Sequence, residues 1–203
     1  MLTFPMHSRT AWSDYFTGNP TSFQANTYTS RETPSCTNLY ISNCLFRSIT
    51  STSEGGALYS SNSVKYLLIE STSFFSCKTS GHKGAIYFYH SSGESVLYGV
   101  CGYDCCTTNS NDIQFGHIRV NNAISNKNYV NYSSIVRCVN ENSSPYNMLA
   151  IQYGKICCPS VNMSLNKCYY RPGIYCWPLR DSSITCSLTY SSFTDNYAIG
   201  SVC

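Results

Sequence analysis

Short apolar segments recur along the middle of the chain at a constant interval. Gly55-Gly56-Ala57-Leu58-Tyr59 precedes Lys83-Gly84-Ala85-Ile86-Tyr87 by an offset of 28 (84 − 56), and polar Ser, Thr and Asn residues separate the apolar pieces. The positions that repeat at this offset are Leu39 and Leu67; Ile41, Ile69 and Leu97; Phe46 and Phe74; Ala57, Ala85 and Ile113; Tyr59, Tyr87 and Phe115; and Cys77 and Cys105. A constant period with apolar residues in the same columns is typical of a solenoid whose units stack on one another.

None of the apolar segments has the i, i+3, i+4, i+7 spacing of a helix over a long enough window, so helical repeats are disfavoured. A period of this length can contain three short strands and three turns. We therefore predict an all-β fold, a right-handed parallel β-helix (β-solenoid) of roughly six rungs. Residues 36–63, 64–91 and 92–120 form the clearest rungs, and the polar stretch 121–128 is predicted to protrude as a loop.

The two ends of the chain differ from its middle. Residues 1–35 lack the repeating columns and contain Pro5, Pro20 and Pro34, which predicts an irregular N-terminal segment or a partial cap. Residues 36–203 are predicted to form a single β-helix domain. The stop at Cys203, directly after a strand-like segment, favours a fragment of a longer stack.

Composition narrows the classes of function. Only 11% of the residues are charged and the net charge is +3, so the chain has no basic stripe for a phosphate backbone and we expect no nucleic-acid partner. Aromatic residues make up 14% of the chain, which is too many for a disordered polymer and favours strands. No apolar run reaches the ~20 residues of a membrane span or forms the core of an N-terminal signal peptide. We expect no membrane span in this chain.

The glycines of the repeat are predicted to have a geometric role. Gly56 and Gly84 can adopt a positive φ at a tight corner of the coil. The columns that follow them are predicted to be Ala57 and Ala85, pointing inward, and Tyr59, Tyr87 and Phe115, stacked as a ladder.

The chain has 13 cysteines, an odd number that leaves at least one thiol unpaired in a monomer. No Cys-x-x-Cys pair occurs, so the commonest zinc and redox spacings are absent and we predict no metal or other cofactor. Cys77, Cys105, Cys138 and Cys168 are predicted to share one column. Residues stacked ~4.8 Å apart could form disulfides. The preferred interpretation is an interior ladder of reduced thiols that act as small apolar side chains.

The acidic residues are too scattered to predict an active site. A hydrolase of this fold class would need two carboxylates roughly 5–9.5 Å apart. Asp104, Asp112, His117 and Arg119 come nearest to such a group, but the register does not bring them together. We therefore interpret them as solvated surface charges and predict no catalytic residue.

Three N-x-[ST] sequences are candidate glycosylation sites. They begin at Asn131, Asn142 and Asn162. They are compatible with an extracellular protein, although a chain so rich in Ser, Thr and Asn would contain a few by chance.

Gly55-Gly56-Ala57-Leu58 and Phe193-Thr194-Asp195-Asn196 resemble the repeats of the polymorphic outer membrane protein family, whose units carry GGA-[ILV] and F-x-x-N. Lys83-Gly84-Ala85-Ile86 matches with one change. The surrounding Ser, Asn, Tyr and Cys content is also similar to that of β-helix surface proteins of parasitic protists. The resemblance implies a pectin-lyase-like right-handed β-helix at the cell surface, with a role in adhesion.

We expect a non-catalytic surface or adhesin-type module that binds glycans, or host or other cell-surface proteins, along a wall of Tyr, Ser and Asn. One alternative is a carbohydrate lyase or hydrolase, active or degenerate. Another is an intracellular structural repeat with reduced thiols. Fold alone does not decide among these functions.

Overall fold

The computed structural model describes residues 11–109, 112–139, 145–177 and 186–200, with Ser61 described by its backbone alone. This part of the chain is a right-handed parallel β-helix, as the repeat period predicts. It contains short strands joined by turns, a single 3-10 helix at Trp12–Asp14 and no α-helix within these ranges. No helix there is long and apolar enough to cross a membrane.

Three sheets form the walls of the described β-helix, and their strands are numbered in chain order. Wall A has seven strands, stacked as β1 (Thr21–Gln24), β3 (Asn38–Ser42), β7 (Tyr66–Glu70), β11 (Glu94–Tyr98), β15 (Lys127–Asn131), β18 (Lys155–Pro159) and β22 (Cys186–Thr189). Wall B has seven, stacked as β2 (Thr27–Tyr28), β4 (Leu45–Arg47), β8 (Ser73–Phe75), β12 (Cys101–Tyr103), β16 (Ser134–Val136), β19 (Asn162–Ser164) and β23 (Ser192–Thr194). Wall C has five, stacked as β6 (Leu58–Ser61), β10 (Ile86–Tyr89), β14 (Ile113–Arg119), β17 (Asn147–Gln152) and β21 (Arg171–Trp177).

Two smaller sheets lie between wall B and wall C. They consist of β5 (Thr50–Ser51), β9 (Lys78–Thr79) and β13 (Cys106–Thr107), and of β20 (Lys167–Cys168) and β24 (Tyr197–Ala198). Five coils therefore carry all three walls. The sixth rung is represented, in the described ranges, by β22, β23 and β24.

Wall B begins and ends at single residues with left-handed backbone. The residues that precede it have φ between 46° and 62°, and they are Asn43, Ser71, Gly99, Tyr132, Ser160 and Tyr190. The residues that follow it have φ between 49° and 56°, and they are Ser48, Ser76, Asp104, Arg137, Leu165 and Asp195. In all but the last of these coils each corner N–H donates to a carbonyl of the next coil, as Ser71 does to Tyr98 at 2.9 Å. This ladder of hydrogen bonds offsets the strain of a left-handed conformation at non-glycine residues.

The interior is a continuous apolar column. Phe46 and Phe74 stack with their ring centroids 4.8 Å apart and their planes within 7°. One coil later the same position is Gly102, and the ring of Phe115 from wall C occupies the space beside it, edge-on to Phe74 at 6.2 Å. A Cβ at Gly102 would overlap the Phe115 ring, so the glycine makes room for the aromatic side chain.

The prediction that Phe115 continues the ladder of Tyr59 and Tyr87 is wrong. Tyr59 pairs with Tyr87, but Tyr87 pairs with His117, so the offset at this step is 30 (117 − 87). Two extra residues precede Gly116 in this coil and shift the register, so Phe115 turns into the core and is fully buried. The outward position of the ladder is taken by His117.

The predicted loop at 121–128 is correct only in part. The offset to the preceding coil rises from 30 (119 − 89) at Arg119 to 33 (128 − 95) at Asn128, so the additional length lies in the turn that precedes wall A. Lys127 and Asn128 themselves belong to β15.

The N-terminal segment contributes to two surfaces. Strands β1 and β2 add a partial coil beneath β3 and β4. Trp12 and Phe16 pack on the outer face of wall A against Tyr40, Leu68 and Val96. This second apolar cluster explains why outward-facing positions of wall A are apolar.

Candidate functional site

Aromatic and cationic side chains stack on one another along the outer face of wall C. We call it the aromatic face. It consists of Tyr59, Tyr87, Tyr89, His117, Arg119, Tyr153, Tyr175 and Trp177, together with Arg31 and Arg171 at its edges. Alternation along each strand produces this face, because inward neighbours such as Leu58, Ile86 and Phe88 are fully buried.

Stacking of equivalent positions creates the centre of the aromatic face. The rings of Tyr59 and Tyr87 lie 5.4 Å apart, and those of Tyr87 and His117 lie 5.6 Å apart. The next position is Ala150, followed by Tyr175. The small Ala150 side chain therefore interrupts an otherwise aromatic column.

Three arginines of the aromatic face stack on tyrosine rings. Arg31 lies 4.8 Å from the centroid of Tyr59, and Arg171 lies 4.2 Å from that of Tyr175. Arg119 lies between two rings, 5.0 Å and 5.1 Å from their centroids, and these rings belong to Tyr89 and Tyr153. Such cation–π contacts hold the planar guanidinium in one orientation. Within the described ranges none of the three forms a salt bridge.

A shallow cavity of about 370 Å³ adjoins the aromatic face at its first coils. Its lining consists of Arg31, Thr52, Ser53, Glu54, Tyr59, Gly81 and His82. Arg31 spans the cavity edge, because its Nε and Nη2 donate to the Glu54 carbonyl at 3.0 and 2.7 Å. The cavity is thus bordered by an oriented cation and a tyrosine ring.

Asp112 lies buried beside this cavity, so its interpretation as a solvated surface charge is wrong. Its carboxylate accepts from the Ile113 N–H at 2.8 Å, lies 3.3 Å from Lys83 Nζ, and pairs with Nδ1 of His82. The His82 side chain is 55% exposed, whereas that of Asp112 is 3% exposed. Three partners satisfy the carboxylate and hold the corner before wall C in place. The group is therefore better suited to structure than to acid–base catalysis.

His117 is also buried, contrary to the same interpretation. The residue is 8% exposed, and neither ring nitrogen has a hydrogen-bond partner in the described structure. Burial lowers the pKa of His117 to about 4, although the nearby Gln152 side chain favours the protonated ring. The imidazole is therefore neutral at physiological pH and acts as part of the aromatic column.

We expect His117 to make the protein less stable in mild acid. Between pH 6.5 and 4 the unfolded chain binds a proton at this residue that the folded chain does not, so stability falls as pH is lowered through that window. The free energy of unfolding should fall by about 2 kcal/mol between pH 7 and pH 4.5. Urea denaturation at a series of pH values measures this.

Two variants isolate the contribution of His117. In H117Q the acid-dependent loss should shrink by most of that amount. In H90Q it should shrink less, because burial also lowers the pKa of His90 but this residue is only partly buried. An unchanged pH profile in H117Q would contradict the assignment.

Comparison of the chain with family models, curated proteins and solved structures gives no match. The aromatic face is therefore interpreted from its own residues.

The glycines of the repeat have different roles in the two units. Gly84 has φ +56°, as predicted, but in the first unit the positive φ belongs to Gly55 and not to Gly56. Gly56 is restricted by packing instead, because an added Cβ would lie 3.0 Å from Cβ of Thr79. Ala57 and Ala85 are fully buried.

The predicted cysteine column is correct for its first three members and wrong for the fourth. Cys77, Cys105 and Cys138 follow wall B at the same distance and are fully buried free thiols. The next member is Asn166, since its Oδ1 accepts from the Cys138 N–H at 3.0 Å. Cys168 lies two residues further on and pairs with Ala198. The spacing from Cys138 to Cys168, 168 − 138 = 30, suggested a column that the register does not contain.

Cysteine and asparagine have the same role in this column, which is to donate a hydrogen bond to a carbonyl of the preceding coil. The Sγ of Cys105 donates to the Phe74 carbonyl of the preceding coil at 3.3 Å. Asn166 Nδ2 donates to the equivalent carbonyl of Ile135 at 2.8 Å, and Asn196 Nδ2 donates to that of Met163 at 2.6 Å. The Asn of the F-x-x-N motif is thus a structural hydrogen-bond donor, for which Cys substitutes in earlier coils.

The candidate glycosylation sites differ in exposure. Asn162 lies exposed on the outer face of wall B, where its Oδ1 accepts from Ser192 Oγ at 3.0 Å. Asn131 is half-buried beside Tyr15, and its Oδ1 is covered. Asn142 lies outside the described residues.

Sequence reasoning predicted the ladder of Tyr59 and Tyr87, but it did not find the other tyrosines of the aromatic face and named Arg119 only as a surface charge. Arg31 comes from a segment without the repeat, and Arg119 reaches its place only after the shift of register in its coil. The sequence does contain a signal for Arg119. With an offset of 30 (117 − 87) Tyr87 aligns with His117, and Tyr89 and Arg119 each follow two residues later on the same face.

Proposed function

We propose that this chain is a non-catalytic β-helix module that binds acidic glycans through the aromatic face. The observation that supports it most is the set of three arginines stacked on tyrosines without carboxylate partners in the described structure. Tyrosine rings offer apolar surface to the C–H groups of a sugar, while oriented guanidinium groups bind carboxylates or sulfates in a bidentate manner.

Charge favours an anionic ligand over a neutral one. The described salt bridges involve Lys78, His82, Lys83 and Lys127, and none of them includes an arginine of the aromatic face. Because the arginines are already oriented by stacking, ordering them on binding costs little side-chain entropy. A linear glycan could contact several coils at once, since equivalent side chains lie about 5 Å apart along the stack.

The cell surface is the proposed location. The GGA-[ILV] and F-x-x-N motifs, which resemble polymorphic outer membrane protein repeats, and the exposed sequon at Asn162 support this proposal. An adhesin-type role and a pectin-lyase-like relationship belong to the same proposal.

A two-carboxylate enzyme has less support. Each of the two cavities described contains one acidic residue in its lining, Glu54 in one and Asp104 in the other. Asp104 is held on the far corner by Ser76 Oγ at 2.7 Å and Lys78 Nζ at 3.5 Å. The geometry therefore gives no pair of carboxylates, within either described cavity, for the general acid and base of a hydrolase.

Binding measurements with heparin, polygalacturonate and neutral dextran test the proposal. We expect the purified chain to bind at least one of the two anionic polymers and not dextran, with affinity that falls as salt is raised. R119Q should weaken binding about tenfold, which corresponds to about 1.4 kcal/mol.

R137Q is the matched control, because Arg137 also contacts a tyrosine, Tyr103, but on wall B. Its affinity should equal that of the unmodified chain. Equal losses in R119Q and R137Q would indicate nonspecific charge attraction. Binding to dextran alone, or binding only to a protein partner, would refute the proposal.

A further inference from the structure

Three cysteines cluster where the fifth coil leads into the sixth rung. Cys176 lies near the end of wall C, and Cys186 begins the next strand of wall A. One coil earlier, their register partners are Ile151 and Ile156, which are fully buried and face inward on either side of the same corner. The register therefore places Cys176 and Cys186 at interior-facing positions of neighbouring walls.

The thiols of this cluster lie close together. Cys158 and Cys186 are both near enough to Cys176 to shift the pKa of its thiol. Cys158 is buried, Cys176 is half-buried and Cys186 is exposed. The cluster thus connects the interior of the β-helix to solvent.

No other described thiols combine proximity to another thiol with access to solvent. Cys77 and Cys105 also lie close together, but both are fully buried. Cys101 is exposed on the outer face of wall B, where its register partners are Ser73 and Ser134. Proximity between thiols and access to solvent coincide at Cys176 and Cys186.

We propose that Cys176 and Cys186 form a disulfide when the protein meets an oxidising thiol–disulfide couple such as oxidised glutathione. The thiolate of the exposed Cys186 attacks one sulfur of oxidised glutathione, forming a mixed disulfide and releasing one glutathione thiolate. The Cys176 thiolate then attacks the Cys186 sulfur and releases the second. The two protons lost by the cysteines are taken up by the two glutathione thiolates. Two protein thiols are oxidised, and one glutathione disulfide is reduced to two thiols.

The surroundings of the thiols set the rate of this exchange. The neighbouring Cys158 thiol raises the pKa of Cys176 to about 12, and the proximity of Cys176 raises the pKa of Cys186. Because the thiolate is the attacking species, exchange is slow at neutral pH and accelerates as pH rises.

The bond would join wall C of the fifth coil to wall A of the sixth rung. It closes a ring of about 11 residues, from Cys176 to Cys186, which restricts the unfolded chain. We expect the oxidised protein to melt about 5 °C higher than the reduced protein. This proposal does not depend on glycan binding.

Peptide mapping of the full chain tests whether the disulfide between Cys176 and Cys186 forms. The protein is incubated with oxidised glutathione at pH 8.5, remaining thiols are alkylated, and the digest is analysed by mass spectrometry without reduction. The expected product is a cross-link between Cys176 and Cys186 that lacks two hydrogen masses, with a rate that increases with pH. C186S should abolish it and C101S should leave it unchanged, while circular dichroism of both variants verifies folding.

Three outcomes would overturn the proposal. They are a stable glutathione adduct at Cys186, a cross-link between Cys158 and Cys176, and full alkylation of both residues after prolonged oxidation.

Discussion

The variant G84V should melt about 10 °C lower than the unmodified protein, which corresponds to a loss of about 4 kcal/mol. Gly84 has φ +56°, where a β-branched side chain is strongly disfavoured. An added Cβ would also overlap the Gln114 carbonyl oxygen and lie 2.7 Å from the Phe115 carbonyl oxygen, both in the next coil. These atoms are backbone in a hydrogen-bonded stack, so they have little freedom to move.

A comparison of G84A with G99A separates backbone strain from steric overlap. Gly99 has φ +62°, but its nearest neighbouring atom would be 3.7 Å from an added Cβ. G99A should therefore cost only the strain, about 1–2 kcal/mol, and G84A should cost clearly more. Melting temperatures measured by circular dichroism decide this, and equal losses in the two alanine variants would be inconsistent with the described contact.

Replacing Asn166 with Ala should lower the free energy of unfolding by about 3 kcal/mol. The side chain donates to the Ile135 carbonyl at 2.8 Å and accepts from the Cys138 N–H at 3.0 Å. Both backbone groups lie in the interior, and removing the amide leaves each without its partner. Urea denaturation of the purified variant measures the loss.

N166C is the matched control for this position. Cys77 and Cys105 occupy the same column and donate their Sγ protons to the equivalent carbonyls of Phe46 and Phe74. A cysteine at position 166 should therefore restore part of the stability, with a loss of about 1–2 kcal/mol. If the cysteine and alanine variants were equally unstable, the equivalence of Cys and Asn would be refuted.

The fold could be predicted because its first coils have identical length. Between Leu39 and Leu97 every inward column recurs at the same offset, and the apolar pattern alone aligns the strands. The predicted position of Phe115 was wrong because the third coil has two additional residues before Gly116. This insertion shifts the register and moves Phe115 from the outer face to the core, and the apolar pattern does not reveal it. Cys168 was assigned to the wrong position because the column changes from Cys138 to Asn166. Asn166 belongs there as a hydrogen-bond donor, and a search for apolar positions does not find it.

The candidate site was less predictable than the fold. Tyr59 and Tyr87 follow from the repeat, but their partners come from different parts of the chain. Arg31 reaches Tyr59 from the N-terminal segment, and the buried Asp112 meets His82 from the next coil. Such contacts depend on tertiary placement of side chains that do not repeat.

The left-handed corners around wall B have a consequence for how this protein can diverge. In every described coil the two corner residues are five positions apart, as in Asn43 and Ser48 or Tyr132 and Arg137. The interval between successive corners nevertheless varies, from 28 (71 − 43) to 33 (132 − 99), so all variation in length is confined to the remainder of the coil. Insertions can therefore lengthen the loops that border the aromatic face while wall B keeps its dimensions. One side of the β-helix therefore keeps constant dimensions, while the side that carries the proposed binding surface can change in length and shape.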